Sequence, residues 1–301
     1  MLIVHTFFLK MISDHLIRRK TDEPIIPVDW RSLMQLAQIH QVDGILHFQC
    51  KKFLPDEIGT ILEERFGTTL FLSANREKMV SRLMDTLDSE NIKHFVIKGA
   101  ALAAYYPFPV LRTMGDTDLV VQMEDRQLVH EILLSQGFEN KSRLEDREWI
   151  YWKNQMEFEL HDHLVYSESI NEDIQEKYFN DFWKYVHNDE LDWNFHFLFL
   201  VFHLRKHFMN SGVGIRHFMD IAVLCLRGPD FDWSWIETEL KKLGMWTFAE
   251  RVFALNKHWF EVEPPVDVEE ISEEFCSSAT DLILKNGVFG FDNEDNRDKT
   301  K

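Results

Sequence analysis

Asp116-Thr117-Asp118 is followed at once by Leu119-Val120-Val121, so two carboxylates stand two residues apart where an apolar strand begins. In a strand, residues i and i+2 point to the same face, with Cα atoms about 7 Å apart. Two carboxylates so placed can share one metal or bridge two metals about 4 Å apart. Magnesium suits them, because it takes oxygen ligands and is held by one or two carboxylates together with substrate phosphates. By itself Asp-x-Asp also fits a solvated strand edge, so the surroundings decide its meaning. Upstream, His94-Phe95-Val96-Ile97 reads as a short strand ending at Lys98-Gly99, and Ala100 to Tyr106 reads as a helix stopped by Pro107. A strand–Gly–helix turn offers backbone N–H groups to an anion, and Lys98 adds a cation. Turn and carboxylates together make a phosphate-plus-metal site.

A third carboxylate comes from Glu157-Phe158-Glu159-Leu160-His161, which alternates like a strand. Glu159 is the first choice and Glu157, on the same face, its competitor. Asp162 falls on the opposite face of a regular strand, and His161 shares the Glu159 face as a neighbour to the ligands. Arg112 lies four residues before Asp116, within reach of a triphosphate or of a neighbouring carboxylate. Further along, His203 and His207 are four apart on one helical face. That spacing can bind zinc, but Leu204 and Arg205 follow His203, so the Glu of His-Glu-x-x-His is absent. A cationic lip over a nucleotide from Lys206, His207 and Arg216 is the preferred reading, with Asp220 anchoring Arg216 one turn on. Trp193, Phe195, Phe197, Phe199, Phe202 and Phe208 read as core.

These segments need positioning elements. Residues 1–90 read mostly as helix, with Asp29 capping a helix from Trp30 to about Gln41 and an amphipathic run over 69–88. Glu124 to Gln136 is a helix stopped by Gly137. Residues 91–165 thus form a strand–helix–strand–helix–strand unit. Trp193–Phe208, Ile215–Leu226 and Trp233–Lys242 are the clearest later helices, and the all-polar tail after Phe291 reads as frayed. The expected organisation is α+β: a small mixed sheet flanked by helical regions. Its divisions are 1–68, a core at 69–170, helices over 171–290, and the tail 291–301.

The stretch Phe95 to Leu102, with Tyr106-Pro107, Arg112 and Asp116 to Val121, resembles the polymerase-β-like nucleotidyltransferases. It resembles in particular an uncharacterised bacterial branch that has Lys-Gly where others have Gly-Gly or Gly-Ser. The resemblance extends to Glu159-Leu160-His161 on a later strand, and to His203, Lys206, His207, Arg216 and Asp220 in a helical half. It implies transfer of a nucleoside monophosphate from a nucleoside triphosphate to an acceptor, with release of pyrophosphate. Magnesium or manganese would be held by Asp116, Asp118 and Glu159, and the nucleotide by Lys98, Gly99, Ala100, Arg112, Lys206, His207 and Arg216. Ala100 stands where the wider superfamily has Ser or Gly, which removes a side-chain phosphate contact. The competing expectation is therefore a degenerate member that senses nucleotide or binds protein without turnover.

Charge narrows the acceptor. The 301 residues carry 33 Lys and Arg against 51 Asp and Glu, a formal charge of −18. Such a surface repels a phosphate backbone, so a small molecule or a protein is expected as acceptor, and long nucleic acid is not. Cys50, Cys225 and Cys276 form no CxxC pair and read as reduced thiols. The longest largely apolar stretch, Phe195 to Val201, is far short of the roughly 20 residues of a membrane span. The N-terminus lacks a signal-peptide layout. The expected location is the cytoplasm.

Overall fold

A computed structural model describes residues 2–143, 146–166, 173–210 and 212–287. The polar tail after Phe291 lies outside them. The chain resolves into two compact units. One comprises residues 1–69, 105–111 and 200–301, the other 70–104 and 112–199.

The second unit holds the sheet. Its strands are β1 (His94–Ile97), β2 (Asp118–Val121), β3 (Glu139–Asn140), β4 (Trp149–Lys153) and β5 (Met156–His161), in the order β1-β2-β5-β4-β3. β2 runs parallel to β5, and the other neighbours are antiparallel. The small mixed sheet of the α+β expectation is therefore present, but with five strands where three were expected. β3 and β4 were missed because Trp149-Ile150-Tyr151-Trp152 carries no polar alternation, even though its burial alternates. β2 is also shorter than expected. Asp116 precedes it in a loop, although the ladder continues back through Thr117, whose N–H donates to the Glu157 carbonyl at 2.9 Å.

Period-2 alternation divides the sheet into two chemically distinct faces. On one, Leu119, Val121, Trp149, Tyr151, Phe158 and Leu160 form a core with Leu83 and Leu87 of α4 (Asp56–Ser89) and with Val129 and Leu133 of α6 (Arg126–Ser135). Met79, Val80, Leu83, Met84 and Leu87 are spaced as one helical stripe, which is why α4 lies along this face. The other face carries Asp118, Glu159 and His161. Its far end is closed by Phe95 against the rings of Phe182 and Trp183. Between the strands lie α5 (Lys98–Leu102), a 3₁₀ turn and the loop to β2. α7 (Asp173–Asn180), the short hairpin β6 (Val186–His187) and β7 (Glu190–Leu191), and the start of α8 (Trp193–Asn210) complete this unit. The core reading of Phe195, Phe197, Phe199 and Phe202 holds, since all four are buried, whereas Trp193 and Phe208 are half-buried.

The first unit is helical. It contains α1 (Leu2–Leu16), α2 (Trp30–Ile39), α3 (Asp43–Cys50), α9 (Ile215–Arg227), α10 (Trp233–Lys242), α11 (Trp246–Phe260) and α12 (Glu273–Asn286). Asp29 caps α2 as expected, accepting from the N–H groups of Arg31 and Ser32. α1 lays Val4, Phe7, Phe8, Met11, Ile12 and Leu16 against α2, α3, α9 and α11. Cys50 and Cys276 are buried and Cys225 half-buried, all as free thiols. No helix among the described residues is long and apolar enough to cross a membrane.

Buried polar groups tie this unit together. His40 has no exposed surface. Its Nε2 lies 3.2 Å from the Leu284 carbonyl, to which only an N–H can be useful, and its Nδ1 accepts from the Ile215 N–H at 3.3 Å. Both contacts are made by the neutral imidazole protonated on Nε2. Protonating Nδ1 would set a donor against a donor, and burial already pushes the pKa down to about 4. A histidine depressed in this way stabilises the fold fully above its unfolded value near 6.5 and progressively less as pH falls toward 4. The native chain should therefore lose up to roughly 3 kcal/mol through His40 over that window, a loss absent from His40→Gln. Denaturant unfolding of both proteins at a series of pH values measures this. Parallel stability curves would mean that His40 is not the group titrating.

Candidate active site

Backbone pairing assembles the site. Asp118 is the first residue of β2, opposite Ile97 of β1 on one side and Glu159 of β5 on the other. Residues directly opposite share a face, so the Asp118 and Glu159 side chains emerge together, with His161 two residues further along β5. One oxygen or nitrogen from each of Asp118, Glu159 and His161 lies within 4.8 Å of those from the other two. Of the two candidates for third carboxylate, Glu159 is therefore the one in this cluster.

Asp118 is 2% exposed, and a buried carboxylate is sustained only by cations and donors around it. Two converge on the same oxygen. Lys98 Nζ lies 2.5 Å from Asp118 Oδ1, and His161 Nε2 lies 3.1 Å from it. His161 Nε2 is also 3.4 Å from Glu159 Oε2, and Lys98 Nζ 4.0 Å from the same oxygen. Burial alone would favour neutral groups. The ion pairs override it, holding Asp118 well below the usual carboxylate range and Lys98 above the usual amine range. For His161 the hydrogen bonds to Asp118 and Glu159 outweigh burial and raise the pKa to about 9. Glu157 is shifted upward by burial and by the charges of Glu159, Asp116 and Asp118.

The turn after β1 is built around two unusual residues. Lys98 has φ 53°, the left-handed region that glycine enters freely and other residues enter at a cost of about 1 kcal/mol. This conformation suits a position that is glycine in the sequences the chain resembles. Its backbone N–H donates to His196 Nε2 at 3.2 Å, so the expectation that the turn turns all its N–H groups toward an anion is corrected at Lys98. Burial pushes the His196 pKa down to about 4, which keeps Nε2 available as an acceptor. Gly99 is required for space. A Cβ there would stand 2.3 Å from Arg112 Nη1 and 2.7 Å from its Cζ. The Arg112 guanidinium is thus laid across the turn, with Nη1 donating to the Thr113 carbonyl at 3.0 Å.

Asp116 is half-buried in the loop before β2, outside the tight cluster. Its charge acts on Lys98, Glu157 and Arg76. Arg76, buried on α4, reaches the Gly115 carbonyl at 3.5 Å and feels both Asp116 and Arg112. Sequence reasoning missed Arg76 and His196, because each sits on a helix among residues that mark nothing. Asp162 is turned to other partners, as expected: Arg126 at 2.8 Å, Tyr166 and His163. Ala100 is half-buried within α5. Lys206 on α8 and Arg216 on α9 belong to the helical unit, where His207 Nε2 lies 3.0 Å from His203 Nε2. Asp220, assigned by sequence to Arg216, accepts from the Tyr106 hydroxyl at 2.6 Å.

The donor set suits a divalent cation. Two carboxylates with an imidazole beside them provide hard oxygen ligands of the kind magnesium or manganese takes. The Lys98 ammonium now supplies the positive charge that Asp118 requires.

Gly99→Ala separates space from stability. The added methyl meets the flexible end of Arg112, which can swing away, so melting should change by no more than about 1 kcal/mol. Nucleotide affinity should fall as far as in Arg112→Ala. Equal affinity in Gly99→Ala and the native chain, by calorimetric titration, would show that the guanidinium is not needed in that position.

Residues 27–261 match the model of a family described as uncharacterised nucleotidyltransferase. No curated protein matches. Among solved structures, the chain is similar to the solution structure of the antibiotic-resistance factor ANT(2'')-Ia, at 14% identity and a TM-score of 0.38, over 62% of this chain and 97% of that one. With the family model spanning most of its length around the strand–turn–strand site, the chain belongs to this uncharacterised nucleotidyltransferase family.

Proposed function

We propose that the protein is a metal-dependent nucleotidyltransferase, moving a nucleoside monophosphate from a nucleoside triphosphate to a small-molecule or protein acceptor and releasing pyrophosphate. The observation that carries this reading is the register that sets Asp118 beside Glu159 on one sheet face, next to the Lys98-Gly99 turn. Asp118 and Glu159 would hold the metal, with Asp116 reaching in from the loop. A divalent ion bound there supplies charge neutralisation at the α-phosphate.

The remaining work falls to this chain's own side chains. Lys98 and His161 keep Asp118 ionised despite its burial, so the carboxylate is ready before ligand arrives. The acceptor hydroxyl attacks the α-phosphorus, the bond to the β-phosphate bridging oxygen breaks, and pyrophosphate leaves. The hydroxyl proton passes to a carboxylate on the β5 face. Glu159 is assigned this place, and Glu157, with its raised pKa, lies one pleat away on the same face. Arg112, across the turn, and Arg76, behind the loop, add positive charge for the phosphates. Lys206, His207 and Arg216 are assigned to the nucleotide on residue type. The net charge of −18 favours a compact acceptor over long nucleic acid.

Calorimetric titration of ATP, GTP, CTP and UTP, with and without magnesium, tests the assignment. Magnesium-dependent binding of at least one triphosphate is expected in the native chain and is expected to disappear in Asp116→Ala/Asp118→Ala. Pyrophosphate release over an acceptor panel should fall at least about 100-fold in Glu159→Gln, in line with removal of a group that acts on the developing charge. Binding without turnover over the panel would favour a nucleotide-sensing module. No triphosphate binding by folded protein would move the assignment to protein binding.

A further inference from the structure

We infer that His203, His207 and His217 form a second metal site, for zinc or a similar late first-row divalent ion, within the helical unit. His203 and His207 are one turn apart on α8 and face the same way. The Gly212-Val213-Gly214 segment, with Gly212 at φ 81°, returns the chain so that α9 begins at Ile215 and presents His217 in its first turn. The result is non-local. The ring centroids of His217 lie 5.8 Å from His203 and 5.5 Å from His207, and the latter two are 4.4 Å apart. A ring nitrogen from each lies within 4.8 Å of those from the other two, and all three residues are half-buried.

Ligand chemistry then narrows the ion. Three imidazoles without a carboxylate in the set suit zinc, copper or nickel, and not magnesium or calcium. Zinc–nitrogen distances of about 2.0–2.1 Å at tetrahedral angles put two ligand nitrogens roughly 3.3 Å apart. His203 and His207 already have their Nε2 atoms at 3.0 Å, and His217 closes the remaining gap by side-chain rotation. Three protein ligands leave the fourth position open, the arrangement of reactive and ligand-binding zinc centres and not of closed structural ones. The positive end of α9 beside His217 favours an anionic fourth ligand, such as hydroxide or a phosphate or carboxylate oxygen. This site stands apart from the proposed transferase chemistry, since its ligands and its preferred metal are both different.

The test titrates zinc into metal-stripped, full-length protein in the presence of excess magnesium, which competes at oxygen-rich sites. One equivalent is expected to bind with micromolar or tighter affinity, with cobalt(II) giving the strong visible bands of four-coordinate geometry. The affinity should fall at least 100-fold in His203→Ala and in His217→Gln, and persist in Asp118→Ala. Magnesium-free far-ultraviolet dichroism confirms that each variant is folded. Failure of the native chain to bind zinc tighter than about 100 μM, which needs no variant, would overturn the inference. So would zinc binding that survives both histidine substitutions, or that disappears in Asp118→Ala, since the ion would then sit at the carboxylates.

Discussion

A carboxylate buried at the first residue of an internal strand is the constraint from which the sheet unit is organised. Asp118 sits between β1 and β5, 2% exposed, and the cost of keeping it ionised there is several kcal/mol unless charge is brought to it. Lys98 and His161 bring that charge to a single oxygen. Each is placed by a different device. Lys98 needs a left-handed backbone at the end of β1, and His161 needs the parallel pairing of β2 with β5. His196 in turn locks the Lys98 N–H. The polar cluster is mutually dependent: none of these groups is comfortable where it lies without the others.

The sheet makes room for this by segregating its chemistry. One face is sealed by the apolar stripe of α4 and by α6, and carries the burial that stabilises the unit. At about 25 cal/mol per Å² of apolar surface, side chains such as Tyr151, Phe158 and Leu160 provide the favourable term against which a strained Lys98 and a buried ion pair can persist. The other face is left for acids and cations, with the Arg112 guanidinium pressed onto a glycine that nothing larger can replace without moving it.

The helical unit follows a different logic. Its core is aromatic and aliphatic, and its buried polar groups are fixed by backbone partners instead of by opposite charge. Ser13 donates to the Phe260 carbonyl, Asn256 to the Phe218 carbonyl, and His40 bridges Leu284 and Ile215. Such bonds make α1, α9, α11 and α12 a specific arrangement and not merely an apolar bundle. They also give His203, His207 and His217 fixed helices from which to converge.

Local pattern carried much of this protein. The Asp-x-Asp step into Leu119-Val120-Val121, the short β1 with its Lys-Gly turn, the Asp29 cap and the helices from Trp193, Ile215 and Trp233 are each written in adjacent residues. Propensity, capping and periodicity act over a few positions, and so did the reading of Glu159 and His161 as one face of β5. What required the tertiary structure was every relation across the chain. β4 is apolar at nearly every position, so its alternation became visible only when Tyr151 met the core and Trp152 met solvent. The pairing that puts Asp118 beside Glu159 joins residues 41 apart, and His196 reaches Lys98 across 98 positions. His217 joined His203 and His207 only through the return of α9. Periodicity states which face a side chain occupies. Which other face it meets is set by packing and register between segments distant in sequence, and no local pattern contains that information.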